Sequence, residues 1–122
     1  MDLPAKFEVK RKGTEVKYPC QFYMLDKSHY SSVEELQAFI LETLANKELF
    51  FPLTSTEINH ILTGEGGLAL GAFVQDQLIG FGAVYFPKEN EDNLGRDVGL
   101  CPPELQQVVH LEACFVHPEY RG

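Results

Sequence analysis

Hydrophobic and polar residues alternate in two segments near the N-terminus, and this period of two is typical of strands. The first segment covers residues 7–9 and the second covers residues 16–25, with a turn at Gly13 between them. Pro19 has no N–H to donate, so we expect it at a sheet edge or at the start of a strand. The pattern predicts two short N-terminal strands.

The next two segments show the helical period of about 3.6 residues instead. Each opens with a capping box, formed by Ser32 with Glu35 in the first and within residues 54–57 in the second. The apolar stripes predict an amphipathic helix over about residues 32–45 and a shorter helix that ends before Gly64.

The second half of the chain is predicted to consist of strands. Residues 68–74 and 78–86 are apolar and flank a compact turn, which predicts an antiparallel hairpin. Residues 87–103 lack a period, and a connection of this length is either mobile or functional. Residues 105–116 predict a last strand. The order β-β-α-α-β-β-loop-β favours an α+β fold, a mixed but mainly antiparallel sheet with helices packed on it, over a doubly wound one.

Composition excludes several classes of function. The chain has 122 residues, is 44% hydrophobic and carries a formal net charge of −8. These values fit a single domain over residues 1–122 and disfavour nucleic acid as the partner. The basic triplet at residues 10–12 is interpreted as a solvated strand edge. No apolar run reaches the roughly 20 residues that span a bilayer, so we expect a cytoplasmic protein with no membrane association.

The cysteines point to a reducing environment. Cys20, Cys101 and Cys114 are odd in number and lack the spacing of a zinc site or a disulfide framework. We therefore expect reduced thiols and no bound metal, with Cys114 as a small buried hydrophobic residue.

Residues 110–122 carry the most specific motif of the chain. An apolar strand runs into a Val-x-Pro-x-Tyr-Arg-Gly turn at residues 116–122. This motif resembles the fourth strand and following turn of the GNAT family of N-acetyltransferases, in which a glycine-rich loop comes next. The predicted element order resembles the same family over nearly the whole chain. The resemblance therefore implies a GNAT-like fold.

The resemblance also implies a reaction, the direct transfer of an acetyl group from acetyl-CoA to a primary amine of a small molecule or protein. It implies that the backbone of Phe115 and Val116 binds the pantetheine arm and polarises the thioester. Arg121 and Gly122 would open the loop that binds the pyrophosphate. The later part of that loop and of the fold would lie beyond Gly122. We therefore expect residues 1–122 to be an incomplete domain, inactive alone, and a longer native chain to continue with a glycine-rich loop.

His110 and Glu112 are the candidate catalytic residues. Alternate residues of a strand share a face, so His110, Glu112 and Cys114 are expected on one face. By the resemblance, His110 and Glu112 occupy positions where family members carry a base or a water relay. Histidine changes charge near neutral pH, and Glu112 would raise the basicity of His110. In the alternative interpretation Glu112 is a solvated or salt-bridged carboxylate and His110 caps the core edge, while Cys114 packs.

Other residues bear on the acceptor. The acidic residues 89–92 favour a cationic amine, although solvation alone explains them equally well. By the resemblance, His60 and the pair at residues 29–30 are candidates for the acceptor wall, against the simpler interpretation of surface residues. We expect His117 to be an exposed turn residue and Tyr120 to be structural.

A second function of a different class also follows from the sequence. The chain would be a truncated, non-catalytic acyltransferase-like module that binds a partner through the exposed edge of its last strand, by strand addition or swapping. Such a module leaves apolar sheet surface uncovered. It should then form homo-oligomers.

Overall fold

Five antiparallel strands form one sheet in a computed structural model, which describes residues 7–121. The strands are β1 (Phe7–Lys10), β2 (Lys17–Met24), β3 (Gly67–Val74), β4 (Gln77–Tyr85) and β5 (His110–Val116). They keep their chain order in the sheet. The helices are α1 (Tyr30–Thr43), α2 (Ser55–Leu62) and the short α3 (Pro102–Leu105). The predicted α+β class and its mainly antiparallel sheet are confirmed.

The main core lies between one face of the sheet and the two longer helices. Buried side chains of α1 and α2 pack against buried side chains of β3, β4 and β5. These residues are Val33, Leu36, Ile40, Ile58, Ile61, Leu62, Ala69, Phe81, Ala83 and Phe115. Burying a side chain of this size stabilises the fold by about 1.5–3 kcal/mol. The apolar stripes of α1 and α2 therefore hold both helices on the sheet. Within residues 7–121 no helix is both long and apolar enough to cross a membrane.

Helix α1 begins two residues earlier than the capping box at Ser32 predicts. The carboxylate of Asp26 accepts the N–H of Ser28 at 2.9 Å, and Nδ1 of His29 accepts the N–H of Asp26 at 3.0 Å. These bonds cap a 3-10 turn at Lys27–His29 that leads directly into α1. The prediction of a cap at Ser32 is therefore wrong, because the chain already enters the helix through Asp26.

Helix α2 begins as the sequence predicts. The hydroxyl of Thr54 accepts the N–H of Glu57 at 3.2 Å, and the Glu57 carboxylate accepts the N–H of Thr54 at 3.0 Å. This reciprocal pair is the predicted capping box. It fixes the side chain of Glu57 at the first turn of α2.

The predicted hairpin of β3 and β4 is also confirmed. Its turn places Gln75 and Asp76 at φ angles of 48° and 66°. Two consecutive positive φ angles match the right-handed twist of the flanking strands, as in a type I′ turn. The hairpin thereby brings β4 into the sheet, where β5 pairs with its other edge.

The connection from β4 to β5 contains more structure than its composition predicts. It holds a 3-10 turn at Leu94–Arg96 and the helix α3, which begins with two prolines. Proline is well suited to the first turn of a helix because it needs no intrahelical N–H bond there. Leu105 is therefore the buried end of a helix, and the prediction that the last strand begins at this residue is wrong.

Candidate functional site

A β-bulge in β5 determines which side chains of this strand face the helices. Ala83 of β4 pairs with Ala113 and Val84 pairs with Leu111, so Glu112 has no opposite residue. The extra residue interrupts the regular alternation, so side chains on either side of the bulge no longer follow one pattern of opposite faces. Ala113 and Phe115 then pack into the core, and Cys114 on the opposite face is exposed.

The bulge corrects two predictions about Cys114. It is not buried, and it does not share the face of His110 and Glu112, because strict alternation ends at the bulge. The buried thiol is Cys20, whose pKa is raised because burial disfavours the thiolate. Cys20, Cys101 and Cys114 are all free thiols.

The candidate site is a cavity of about 280 Å³ between α2 and the end of the β4–β5 pair. We call it the inner cavity. Its lining comes from α2, β4, β5 and the connection between the last two strands, and consists of Thr56, Glu57, His60, Ile61, Tyr85, Asp92, His110 and Glu112. The structure thus brings together His110, Glu112 and His60, which the sequence analysis names as candidates for the base and for the acceptor wall.

His110 is tied to the connection that precedes its own strand. Its Nε2 accepts the N–H of Leu94 at 3.1 Å, and its ring lies 5.7 Å from the ring of Tyr85. In the neutral ring the proton must then sit on Nδ1, because Nε2 uses its lone pair in this bond. His110 is therefore held as an acceptor for the backbone and is not free at Nε2 to take a proton from a substrate.

Asn93 stabilises the connection between β4 and β5, which contains the Leu94 N–H that bonds to His110. Its side chain is 1% exposed, and its Nδ2 donates to the carbonyls of Lys88 at 2.7 Å and Leu105 at 3.0 Å. Its Oδ1 accepts the N–H of Gly95 at 2.8 Å. One buried amide side chain thus hydrogen-bonds to the backbone at three places in the connection between β4 and β5, a segment whose composition predicts no regular structure.

Tyr85 and Asp92 connect this segment to the inner cavity. The hydroxyl of Tyr85 accepts a bond from Nδ2 of Asn90 at 2.6 Å and donates to the carboxylate of Asp92 at 3.4 Å. Arg96 also donates to the backbone carbonyls of Glu89 and Asn90. These contacts place Asp92 at the cavity. Glu89, Glu91 and Asp92 are all exposed, so both interpretations of the acidic residues stay open.

The three carboxylates of the inner cavity differ in what they bind. Glu57 caps α2 and Asp92 accepts the hydroxyl of Tyr85. Among the residues that the structure describes, Glu112 makes no hydrogen bond or ion pair. No group of three or more possible metal ligands lies together within residues 7–121. The cavity therefore offers negative charge for a cation and one unengaged carboxylate for a proton.

The outer edge of β5 is where the resemblance places the cofactor. The N–H of His117 donates to the carbonyl of Ile79 in β4 at 2.6 Å. Successive residues of a strand point their backbone groups to opposite sides, so Val116 points away from β4 and Phe115 points toward it. Nε of Arg121 donates to the carbonyl of Val116 at 3.0 Å.

These residues fit an extended pantetheine arm. A strand edge with an outward N–H, such as that of Val116, can bind a chain of amides as an added strand. Phe115 supports the edge from inside, since its buried ring stacks on Phe81 at 4.9 Å. Arg121 is exposed at the same end and carries positive charge. Gly122, the other predicted phosphate residue, lies outside the described residues.

His117 is buried, contrary to the prediction of an exposed turn residue. It is 4% exposed, its ring stacks on Phe39 at 4.5 Å, and its Nδ1 accepts the N–H of Glu119 at 3.1 Å. Burial lowers the pKa of His117 below its usual range. The prediction failed because Phe39 of α1, distant in sequence, covers the turn. Tyr120 packs against the cluster of Cys20, Val74 and Ile79, which fits its expected structural role.

Two further predictions, for His29 and for the basic triplet, are not met by the structure. His29 lies outside the inner cavity, because its ring caps Asp26 and packs beside Phe73, 5.8 Å away. Of the basic triplet, Arg11 is not simply solvated, since its guanidinium donates to both carboxylate oxygens of Glu119 at 3.0 and 3.1 Å. Tyr85 and the N–H of Leu94 are parts of the site that the sequence analysis missed. The apolar run around Tyr85 indicates only that this residue lies in a strand. The N–H of Leu94 cannot be recognised from sequence, because every residue except proline has one.

Known proteins offer limited comparison. No protein-family model matches the chain, and no curated protein matches it. A similar solved structure is that of a ribosomal-protein-alanine N-acetyltransferase from Brucella melitensis biovar Abortus 2308, with 21% identity and a TM-score of 0.49. The match covers 84% of this chain, which spans 60% of that chain. Substrate and activity therefore have to be inferred from the side chains of this chain.

Proposed function

We propose that this chain is an N-acetyltransferase that transfers an acetyl group from acetyl-CoA directly to a primary amine of a small molecule or protein. The observation that carries this proposal is the bulge at Glu112, which directs an unengaged carboxylate into the inner cavity. Glu57 and Asp92 add negative charge to the same cavity. A site of this kind attracts an ammonium group and can remove its proton.

Glu112 is the proposed general base. The acceptor enters as an ammonium ion, and Glu112 takes one proton so that the nitrogen lone pair becomes a nucleophile. Bound acetyl-CoA would supply the thioester. The new C–N bond would form as the C–S bond breaks, and the leaving CoA thiolate would take up the second proton that the nitrogen loses, giving the amide and the CoA thiol. His110 is proposed as a positioning residue, because its Nε2 is already bonded to the N–H of Leu94.

The outer edge of β5 is proposed to hold the cofactor. The outward N–H of Val116 would bind the pantetheine arm, with Phe115 supporting the strand from the core. Arg121 and Gly122 would meet the phosphates, as the sequence motif implies. The three free cysteines support a cytoplasmic location, where thiols stay reduced.

The test is acetyl transfer by the full-length native chain, measured against a panel of primary amines. General bases contribute about 10²–10⁴-fold to rate, so Glu112→Gln should lower kcat by at least about 10²-fold. His110→Ala should act mainly on KM, because it releases the segment that carries Asp92. Unchanged rates in both variants would remove these assignments. Absence of transfer to every amine would argue against the activity itself.

A second candidate function is a non-catalytic module that pairs with a partner or a second copy through β5. The observation that favours it is an apolar row on the sheet face opposite the helices. Leu68 pairs with Val84, and Val84 pairs with Leu111, which is 78% exposed. An uncovered apolar row beside a strand edge is typical of an association surface.

A further inference from the structure

His60 lies between two cavities. One is the inner cavity, and the other is a larger cavity of about 710 Å³ beside α3, which we call the outer cavity. His60 is the residue that lines both of them. The two cavities therefore adjoin at His60, and a molecule that extends from one into the other at this point would contact this residue.

Gly66 provides the space for this ring. A Cβ atom at Gly66 would lie 1.8 Å from Nε2 of His60, far closer than any real contact allows. The ring also lies 6.3 Å from the ring of Tyr85. The imidazole ring can therefore occupy this position between the cavities only because residue 66 has no side chain.

The two cavities differ in charge. The inner cavity has three carboxylates and no lysine or arginine in its lining. The outer cavity combines Glu65 and Glu89 with Lys88, and the Glu89 carboxylate is within 3.5 Å of the amide of Gln106. Its remaining wall includes Phe86 and three prolines. Positive charge is therefore favoured more strongly in the inner cavity. The outer cavity is less acidic, because a lysine offsets one of its two carboxylates, and its Phe and Pro side chains suit a body with amide and apolar groups.

We infer that His60 is a specificity-determining residue that divides the acceptor site, and that the acceptor is an extended amine with one terminal ammonium and an uncharged, amide-containing body, as in a peptide α-amine. This inference rests on the proposed function, because the ammonium occupies the cavity of Glu112. The body crosses beside His60 into the outer cavity. The ring admits a narrow body at the crossing and excludes a wide one.

The experiment is an NMR titration of the full chain with four amines. The probes are n-propylamine, triglycine amide, the same tripeptide amide with valine in its second position, and spermidine. We expect n-propylamine to shift only signals of the inner cavity and triglycine amide to shift Lys88 as well. Triglycine amide should bind about tenfold more tightly than the valine peptide and at least as tightly as spermidine.

Variants at the crossing test the role of His60 directly. His60→Ala should reduce the tenfold preference to less than about twofold. Gly66→Ala should also reduce it by displacing the ring, and it should have no further effect in the His60→Ala background. Gly82→Ala is the matched control, because a Cβ there meets no atom within 4 Å and the residue lies in β4 away from both cavities. This control should keep the tenfold preference.

The outcomes separate the two proposals. If no amine binds near Glu112, the acceptor site of the proposed function fails, and the inference fails with it. If n-propylamine binds but the two peptides bind equally, or if His60→Ala keeps the preference, only the inference is overturned. Tighter binding of spermidine than of triglycine amide would overturn the single-ammonium class of acceptor.

Discussion

Replacing Asn93 with alanine should destabilise the protein by about 3 kcal/mol. The side chain is 1% exposed and makes three hydrogen bonds to the backbone, to Lys88, Leu105 and Gly95. Each such bond contributes about 0.5–1.5 kcal/mol net, and a buried group left without a partner costs about 1–3 kcal/mol. The loss would be a large part of the roughly 5–15 kcal/mol that stabilises a typical domain.

The measurement is urea denaturation of the wild type and of Asn93→Ala, followed by circular dichroism. Asn90→Ala is the matched control, since it deletes the same amide from the same segment but breaks one exposed bond to Tyr85. We expect the control to lose no more than about 1 kcal/mol. A loss below about 1 kcal/mol for Asn93→Ala, or equal losses in both variants, would refute the role of Asn93 as the fastening point.

Two further predictions concern His117 and Leu111. Burial lowers the pKa of His117 in the folded chain. Below about pH 6.5 the unfolded chain therefore binds a proton that the folded chain does not. The free energy of unfolding should fall as the pH drops through that range. Urea denaturation at several pH values should show a smaller fall in His117→Gln, and an identical fall in both proteins would contradict this. If β5 is an association surface, light scattering should show a dimer that Leu111→Lys converts to a monomer. A wild-type monomer at all concentrations would exclude this association.

Local patterns were sufficient to predict most of the fold. The capping box at Thr54 and the apolar stripes of both helices depend on residues three or four positions apart, and the hairpin depends on a short turn. Such signals can be read without knowing what packs on them. The start of α1 was missed because Asp26 and His29 cap it across a 3-10 turn, which has no strong sequence pattern.

The site was predictable only in part. The spacing of His110 and Glu112 placed both side chains in one cavity, although their catalytic roles stay predictions. The bulge that exposes Cys114 depends on the register of β5 against β4, which one strand's sequence does not contain. The burial of His117 depends on Phe39, and the hydrogen bond that occupies Nε2 of His110 comes from the backbone of Leu94. These are contacts between distant segments, and periodicity does not report them.

The agreement between strand order in the sheet and strand order in the chain has a consequence for folding kinetics. β3, β4 and β5 can pair in succession, whereas β2 reaches β3 only across residues 25–66, which contain α1 and α2. Closing a longer loop costs more entropy, and contacts distant in sequence slow folding. Docking of the N-terminal hairpin of β1 and β2 should therefore be the slow step. Protection of amide hydrogens in β3 and β4 should accordingly appear before protection in β1.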